Sequence, residues 1–543
     1  MAFVQAMNNA LKKKGVNGAE VYTETGVGDE RVTLFTMLNR GLEESYIRNA
    51  VGSIAALNRE DQVRDLFVMA FQTRDIRGGK GEKKLFYQFF HLLYRFWPYI
   101  AAKIVALVPE YGCWRDMWEL WGSIPELKDT ILTIVKKQFM DDLTAAARGD
   151  THNMSLLAKW LPREKSATYR GLAAPIANAL YPNELSERRQ LIRYRKETSF
   201  MNSALKTVEI DMCGGRWRKI NPEAVPGRNL KLHDKAFLNE TKSGDLRWPD
   251  SSDRMKCRKH FQKFVEDLAS GSKKAHGANV VLPHELVLKA QDPSTTEDQH
   301  VINQAQWESI REETLRLGGL GKAVAMCDLS GSMSGIPLQI SLALGILISE
   351  CTHPSFKDHI LTFDSTPQWH SFKDWKSLKY KLESLRGCGQ GLNTDFYLAC
   401  QMILARMIQW KVSPEEAPED LIVITDMGFD TAANTNNYSS SSRHSAWETQ
   451  VSRIQREFQE AGEYLWGKGN GWKAPRIVIW NVRAQFKDFH ATADQKGVVQ
   501  LSGWSPSLLK ALQKGGVSVQ TPYQGMRAIL DDERYDPVRT LFA

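Results

Sequence analysis

The sequence predicts an α-helical repeat region followed by a doubly wound α/β domain, within one chain of 543 residues. Three observations predict this. From about residue 45 to 205, apolar residues recur at three- and four-residue spacing, the period of helices with one buried face. Beyond residue 320, short apolar runs alternate with segments of helical length, which specifies a mostly parallel sheet covered by helices. The length also exceeds what a single core fills, so two or three domains are expected.

In the first part, Leu85, Phe86, Phe89, Phe90, Leu92, Leu93 and Phe96 illustrate the helical period. Gly78-Gly79, Pro98, Pro109, Gly122, Pro125, Pro162, Pro175 and Pro182 punctuate it, giving helices of roughly ten to twenty residues with short connections. A stacked array of the α-solenoid kind buries such faces, although no clean repeat period is visible. Trp97, Trp114, Trp118, Trp121 and Trp160 are expected to pack in the core or between repeats. Residues 206–300 are less regular, with turns at Asn221–Gly227 and Lys242–Ser252, a helix at Met255–Leu268 and a polar linker at Gln291–Gln299. The expected division is an N-terminal extension over 1–45, the helical repeat domain over 46–300 and the α/β domain over 301–543.

In the second part the expected strands are Ala323–Cys327, Asp358–Phe363, Leu421–Thr425, Arg476–Trp480 and Gly497–Leu501. Helices are expected between and after them at Pro337–Cys351, Trp375–Leu385, Asp395–Trp410, Ala446–Ala461 and Pro506–Gln513. Ligands of such sheets bind beyond the carboxyl ends of the strands, where strand order reverses.

That edge carries the strongest chemical signal. Strand Ala323–Cys327 runs into Asp328-Leu-Ser330-Gly-Ser332, placing a carboxylate and two hydroxyls on alternate positions of one loop. Asp and Ser also cap helices and close turns, so this loop alone is compatible with a purely structural role. Thr394 opens a helix and Asp426 ends a strand, adding a hydroxyl and a second carboxylate. Five hard oxygen donors suit a small divalent cation, Mg²⁺ ahead of Mn²⁺ or Ca²⁺, with room for water and an incoming carboxylate or phosphate oxygen.

Other motif-like strings fail on spacing. Arg77-Gly-Gly-Lys80-Gly81 and Gly318-Gly-Leu-Gly321-Lys322 lack the phosphate-loop pattern, and Gly331-Ser-Met-Ser-Gly335 has Met where a nucleophile elbow needs Ser. His353, His359, His370, His444 and His490 show no paired-ligand spacing. A two-metal hydrolase needs a second carboxylate cluster bridging ions about 4 Å apart, and only Asp395 and Asp430 are extra. No enzymatic activity is expected. Arg74, Arg77 and Lys80 suit either an anion contact or a charged turn between helices.

Charge is uneven. Residues 1–300 hold 46 Lys and Arg against 37 Asp and Glu, while residues 301–543 hold 25 against 26. Two dense clusters interleaved with aromatics, Arg188, Arg189, Arg193, Arg195 and Lys196, then Arg216, Arg218 and Lys219, are candidates for a nucleic-acid backbone. A solvated helix face has the same composition. Seven scattered cysteines without a Cys-x-x-Cys pair predict a reducing, intracellular and cytoplasmic setting. No apolar run is long enough to span a bilayer, and the N-terminus does not read as a secretory signal.

Asp328-x-Ser330-x-Ser332, Thr394 and Asp426 resemble the metal-ion-dependent adhesion site (MIDAS) of the von Willebrand factor A fold, all five positions being present in order. Arg74–Glu82, Val108–Asp116, Leu157–Pro162 and Leu282–Leu286 are similar to segments of an uncharacterised family of plants, fungi and giant viruses. In that family helical repeats precede such an A domain. The resemblance to the nearer family implies an acidic residue at the position where this chain has Gly428. The plan resembles, more distantly, the TROVE module of the Ro ribonucleoprotein, a ring of HEAT-like helical repeats closed by the A domain. This resemblance implies an RNA-binding protein. The alternative is a metal-dependent assembly scaffold, in which a protein partner donates an acidic residue to the metal. For a giant-virus member, that implies a structural component of the virion.

Overall fold

A computed structural model describes residues 11–275, 281–316, 318–363, 367–388, 395–429, 449–509, 512 and 521–542. The first part of the chain is mostly helical; beyond residue 320 it forms a six-stranded mixed sheet flanked by helices. The helices begin and end where the sequence supplies caps. Ser186 accepts a hydrogen bond from the Arg189 N–H at the start of Glu187–Leu205, and Ser251 does the same for Arg254 at the start of Ser252–Ala269. Lys83–Phe96 buries Leu85, Phe86, Phe89, Phe90, Leu92 and Leu93 on one face, as the spacing predicts, whereas Phe96 in its last turn is 43% exposed.

Aromatic contacts carry much of the helix packing. Phe71 meets Phe86, Phe90 and Tyr111 edge-on at centroid distances of 5.8, 6.2 and 5.2 Å. Trp114, Trp118 and Trp121 are buried, and the Trp118 Nε1–H donates to the Trp160 carbonyl at 2.8 Å. One continuous apolar core runs from these helices into the sheet. A separate cluster around Phe237, Cys257, Phe261 and Phe264 supports residues 208–305.

A short antiparallel pair, β1 (Lys12–Lys14) and β2 (Glu20–Tyr22), precedes the helices. The main sheet comprises β3 (Ala323–Asp328), β4 (His359–Phe363), β5 (Gln368–Ser371), β6 (Asp420–Thr425), β7 (Arg476–Asn481) and β8 (Val498–Ser502). Its order is β5-β4-β3-β6-β7-β8, with every pairing parallel except β4 with β5. Every residue of β3 and β6 is buried, which is why both read as unbroken apolar runs. The expected strands lie within a residue of those observed. β5 is an addition, because Gln368-Trp-His-Ser371 is a largely exposed edge without an apolar run. The expected helix at Trp375–Leu385 is shorter, Leu378–Ser384, and of Pro506–Gln513 the described residues hold the 3-10 turn Pro506–Leu508.

The helical region is fastened to the sheet domain at both of its ends. Residues 11–42 run along β7 and β8: Tyr22 bridges to Phe489, Asn39 Nδ2 donates to the Asn481 carbonyl at 3.0 Å, and the Thr36 hydroxyl meets Gln500 Oε1 at 3.1 Å. At the far end, Trp307 Nε1–H donates to Glu350 at 2.9 Å, and the Leu378 N–H donates to Gln304 Oε1 at 2.9 Å. Trp504, just after β8, lies between the two: Arg40 stacks on its ring at 3.8 Å, and His284 packs edge-on at 5.2 Å.

The segment Arg74–Glu82 belongs to this fastening. Of the two expected roles, the structure supports the turn for Lys80. Arg74 is buried against Asp116 at 2.7 Å, and Lys80 is fully buried. The Lys80 ammonium donates to the Leu38 carbonyl and the Ser502 hydroxyl, each at 2.7 Å, and lies 4.9 Å from the Phe35 ring. Gly79 permits the turn, since a Cβ there would fall 2.0 Å from the Gln72 carbonyl oxygen.

Burial lowers the Lys80 pKa to about 7, with Glu82 opposing. The unfolded chain then holds a proton that the folded chain has lost between pH 7 and the ordinary lysine value. Stability should therefore rise with pH across that window, with a contribution approaching about 1.4 kcal/mol per pH unit. Urea denaturation at pH 7, 8 and 9 should show this rise in the parent protein and a flatter profile in Lys80→Met. Equal slopes would contradict it.

Candidate metal centre and basic surface

From β3 the chain moves to β4 on one side and, later, to β6 on the other, so strand order reverses between β3 and β6. Such a reversal leaves a crevice beyond the carboxyl ends of those two strands. Asp328 ends β3 and Asp426 follows β6. The register pairs Cys327 with Ile424, and this brings the Thr425 hydroxyl to Asp328 Oδ2 at 2.8 Å.

The loop after β3 folds around its own carboxylate. Asp328 Oδ1 accepts from the Ser330 N–H at 3.0 Å and from the Ser330 hydroxyl at 2.6 Å, and the hydroxyls of Ser330 and Ser332 lie 3.1 Å apart. Ser332 lies close enough to Asp426 to lower its pKa, and the Ser332 carbonyl accepts from Arg483 Nη1. Four of the five predicted residues, Asp328, Ser330, Ser332 and Asp426, therefore share one site. Thr394 lies outside the described residues; its neighbour Asp395 caps helix Phe396–Gln409, accepting from the Leu398 N–H at 2.8 Å.

Asp328 and Asp426 are both fully buried. Burial, and then the charge of Asp426, pushes the Asp328 pKa up to about 7 against the hydrogen bonds from Ser330 and Thr425. Burial also raises that of Asp426, opposed by Ser332, the Gly428 N–H and Arg483. Asp426 Oδ2 is buried without a hydrogen-bond donor. Two desolvated carboxylates with an unsatisfied oxygen, lined by hydroxyls, form a donor set that fits a hard divalent cation. Among the described residues no group of three or more His, Cys, Asp or Glu could hold a metal, so this set rests on two carboxylates and hydroxyls.

The turn after β6 is held from several directions. Met427 is buried with φ of 72°, a strained conformation for a residue with a Cβ. Its N–H bonds to Thr425 Oγ1 at 3.1 Å, and its carbonyl accepts from His490 Nε2 at 2.9 Å. Burial keeps His490 neutral, with a pKa lowered to about 4. Phe429 is stacked between Phe396 at 4.6 Å and His490 at 4.2 Å. Gly428 fits tightly, since a Cβ there would fall 2.8 Å from the Phe486 ring. An acidic residue at this position would require Phe486 to shift.

Sequence reasoning missed Thr425 and Arg483. Thr425 closes an apolar run directly before Asp426, and a hydroxyl in that place was its only signal. Arg483 lies far along the chain and gave none.

The eight candidate nucleic-acid residues are all exposed, on helix Glu187–Leu205 and around the turn Trp217–Lys219. Half of them face acids. Arg193 pairs with Glu197 and Glu184, Arg195 with Glu164, Arg216 with Asp211 and Arg218 with Asp253, at 2.8 to 3.8 Å. Arg188, Arg189, Lys196 and Lys219 make no ion pair among the described residues.

Two domain families match the chain. Residues 123–320 match a domain of unknown function, DUF2828, and residues 322–539 match a second, DUF7788. Uncharacterized protein L728 of Acanthamoeba polyphaga mimivirus is 28% identical over 517 residues, covering 91% of this chain and 83% of its own length. Among solved structures, the Ro (RSR) protein of Deinococcus radiodurans aligns over 90% of this chain and 99% of its own. It does so at 12% identity and a TM-score of 0.39. No described helix is long and apolar enough to cross a membrane.

Proposed function

We propose that this chain is a non-enzymatic binding protein in which a von Willebrand factor A-like domain holds one Mg²⁺ ion and a HEAT-like helical region engages RNA, on the Ro plan. Asp328, Ser330, Ser332, Thr394 and Asp426 would hold the ion. Bound there, it would supply a Lewis-acidic contact for one oxygen of an incoming carboxylate or phosphate. The observation that carries the metal reading is the pair of fully buried carboxylates at the strand-order reversal, with Asp426 Oδ2 lacking any donor.

The RNA reading is supported by the positive balance of residues 1–300 and by the four unpaired cations Arg188, Arg189, Lys196 and Lys219. The four paired residues remain usable, because exposed ion pairs contribute only about 0–1 kcal/mol and can exchange an acid for a phosphate. Changing the four unpaired residues together to Gln should weaken binding of a structured RNA and flatten its salt dependence. The slope of log K against log salt should fall by about 3. Failure of the parent protein to retain RNA in a mobility-shift series at low salt would end this reading.

The same unsatisfied Asp426 Oδ2 also supports a second reading, a protein partner donating its carboxylate to the ion. In that case a protein, and no RNA, would accompany the purified chain and leave it on chelation.

A further inference from the structure

A further group of cations, none of them counted in either feature above, lies among the first helices. Lys83 is the first residue of helix Lys83–Phe96, and Arg115 the first of helix Arg115–Ser123. Neither helix start receives a side-chain cap, and the first of them has no acidic residue in its opening turn. Both side chains are partly buried, and neither makes an ion pair among the described residues.

The nearby carboxylates already hold other donors. Asp116 Oδ2 accepts from Arg74 Nε at 2.8 Å and the Cys113 N–H at 2.9 Å and pairs with Arg74 Nη2 at 2.7 Å, while Oδ1 accepts from the Tyr87 hydroxyl at 2.5 Å. Glu119 accepts from the Tyr169 hydroxyl at 2.8 Å, and Glu82 takes both of its bonds from Arg40. Arg74 is 1% exposed, yet its Nη1 has no acceptor, and neither has the buried Nε of Arg115. Burial, then the charges of Arg115 and Arg74, lowers the Lys83 pKa. Arg115 lies over the Trp160 ring at 5.3 Å.

Arg74 is thus held on Asp116, with Lys83 and Arg115 close by at the starts of two helices that lack a side-chain cap. Unmatched buried donors of this kind call for an acceptor-rich anion, and helix N-termini favour one. We propose that Arg74, Lys83 and Arg115 form a binding site for a phosphate group within the helical region. Arg74 is the fixed rear wall, held by Asp116, while Lys83 and Arg115 reach the ligand from the more open side. The close approach of Arg74 to the chain depends on Gly112, where a Cβ would fall 2.8 Å from Arg74 Nε. The site requires neither the metal centre nor the basic surface at Arg188–Lys219.

Inorganic phosphate titrated into the full-length protein by calorimetry, at matched ionic strength in chloride, tests the site directly. Lys83→Gln and Arg115→Gln should each weaken phosphate binding at least tenfold. Lys83→Arg, which keeps the charge, and Lys84→Gln, on the exposed neighbour, should stay within about threefold of the parent. Competition then separates the sources: a 5′-phosphorylated oligoribonucleotide that displaces phosphate where its unphosphorylated twin does not identifies an RNA end, and displacement by a mononucleotide alone identifies a free nucleotide. Either result supports the site. RNA retention that persists in Lys83→Gln while phosphate binding is lost also supports it, and separates it from the basic surface. Absence of phosphate binding, or binding unchanged in both Gln variants, overturns the proposal.

Discussion

Asp328→Asn should bind Mg²⁺ at least a hundredfold more weakly than the parent chain and yet, free of metal, melt at a higher temperature. The two effects share one cause. Asp328 and Asp426 are buried together, and the Asp328 pKa is raised to about 7 mainly by lost solvation and then by its neighbour. Each pH unit of such a shift corresponds to about 1.4 kcal/mol held against the charged form. Without a cation, this pair opposes folding at and above neutral pH. Asn keeps an acceptor for the Ser330 N–H and removes the charge, so a gain of about 1–3 kcal/mol is expected in chelator. With Mg²⁺ the order should reverse, because the parent gains about 2.7 kcal/mol at a hundred times its dissociation constant and the variant gains little. Melting curves of both proteins, with Mg²⁺ and with chelator, give the four values needed. A parent indifferent to Mg²⁺ and Mn²⁺ would rule out the metal centre.

Asp75→Ala should cost about 3–5 kcal/mol of stability, the usual effect of removing one partner from a buried charge pair. Asp75 is fully buried. Its Oδ1 accepts from Arg534 Nη2 at 2.6 Å and the Arg77 N–H at 3.0 Å, and its Oδ2 from Arg534 Nε, the Gly78 N–H at 3.1 Å and the Tyr535 hydroxyl at 3.2 Å. Alanine leaves a guanidinium and two backbone donors unmatched at the junction of helix Glu60–Arg74 with the C-terminal segment. Amide exchange should accelerate first in Pro522–Leu530 and Asp536–Phe542, which pack on that helix. A uniform change across the protein, or a loss below about 1 kcal/mol, would show that the junction is not held in this way.

The contrast between these two residues shows what the sequence could reveal. Asp328 was legible because its partners fall at recognisable places: Ser330 and Ser332 in the same loop, Asp426 at the end of another apolar strand. Strands β3, β4, β6, β7 and β8 were legible because burial on both faces leaves unbroken apolar runs. β5 was not, because an exposed edge needs no such run. Lys80 read as either an anion contact or part of a charged turn, and Asp75 gave no signal, since their partners Ser502 and Arg534 lie 422 and 459 residues further along the chain. Burial of a lysine is decided by those distant acceptors, and nothing local announces it. Residues 11–42 read only as part of an N-terminal extension, and they dock along β7 and β8. The basic residues lie on exposed faces, but the acids that pair with half of them, such as Glu164 and Asp253, come from neighbouring turns and helices.

Stacks of helices ordinarily fray, because a terminal repeat has a neighbour on one side only and opens before the middle does. Here the first helices are latched through Lys80 and Asp75 and the last through Trp307 and Gln304, all onto the same sheet domain. Among the described residues, the helical region is therefore held at both of its ends. It should open only by releasing one of these latches, so a partner that loosens either one would change the accessibility of the whole helical surface at once.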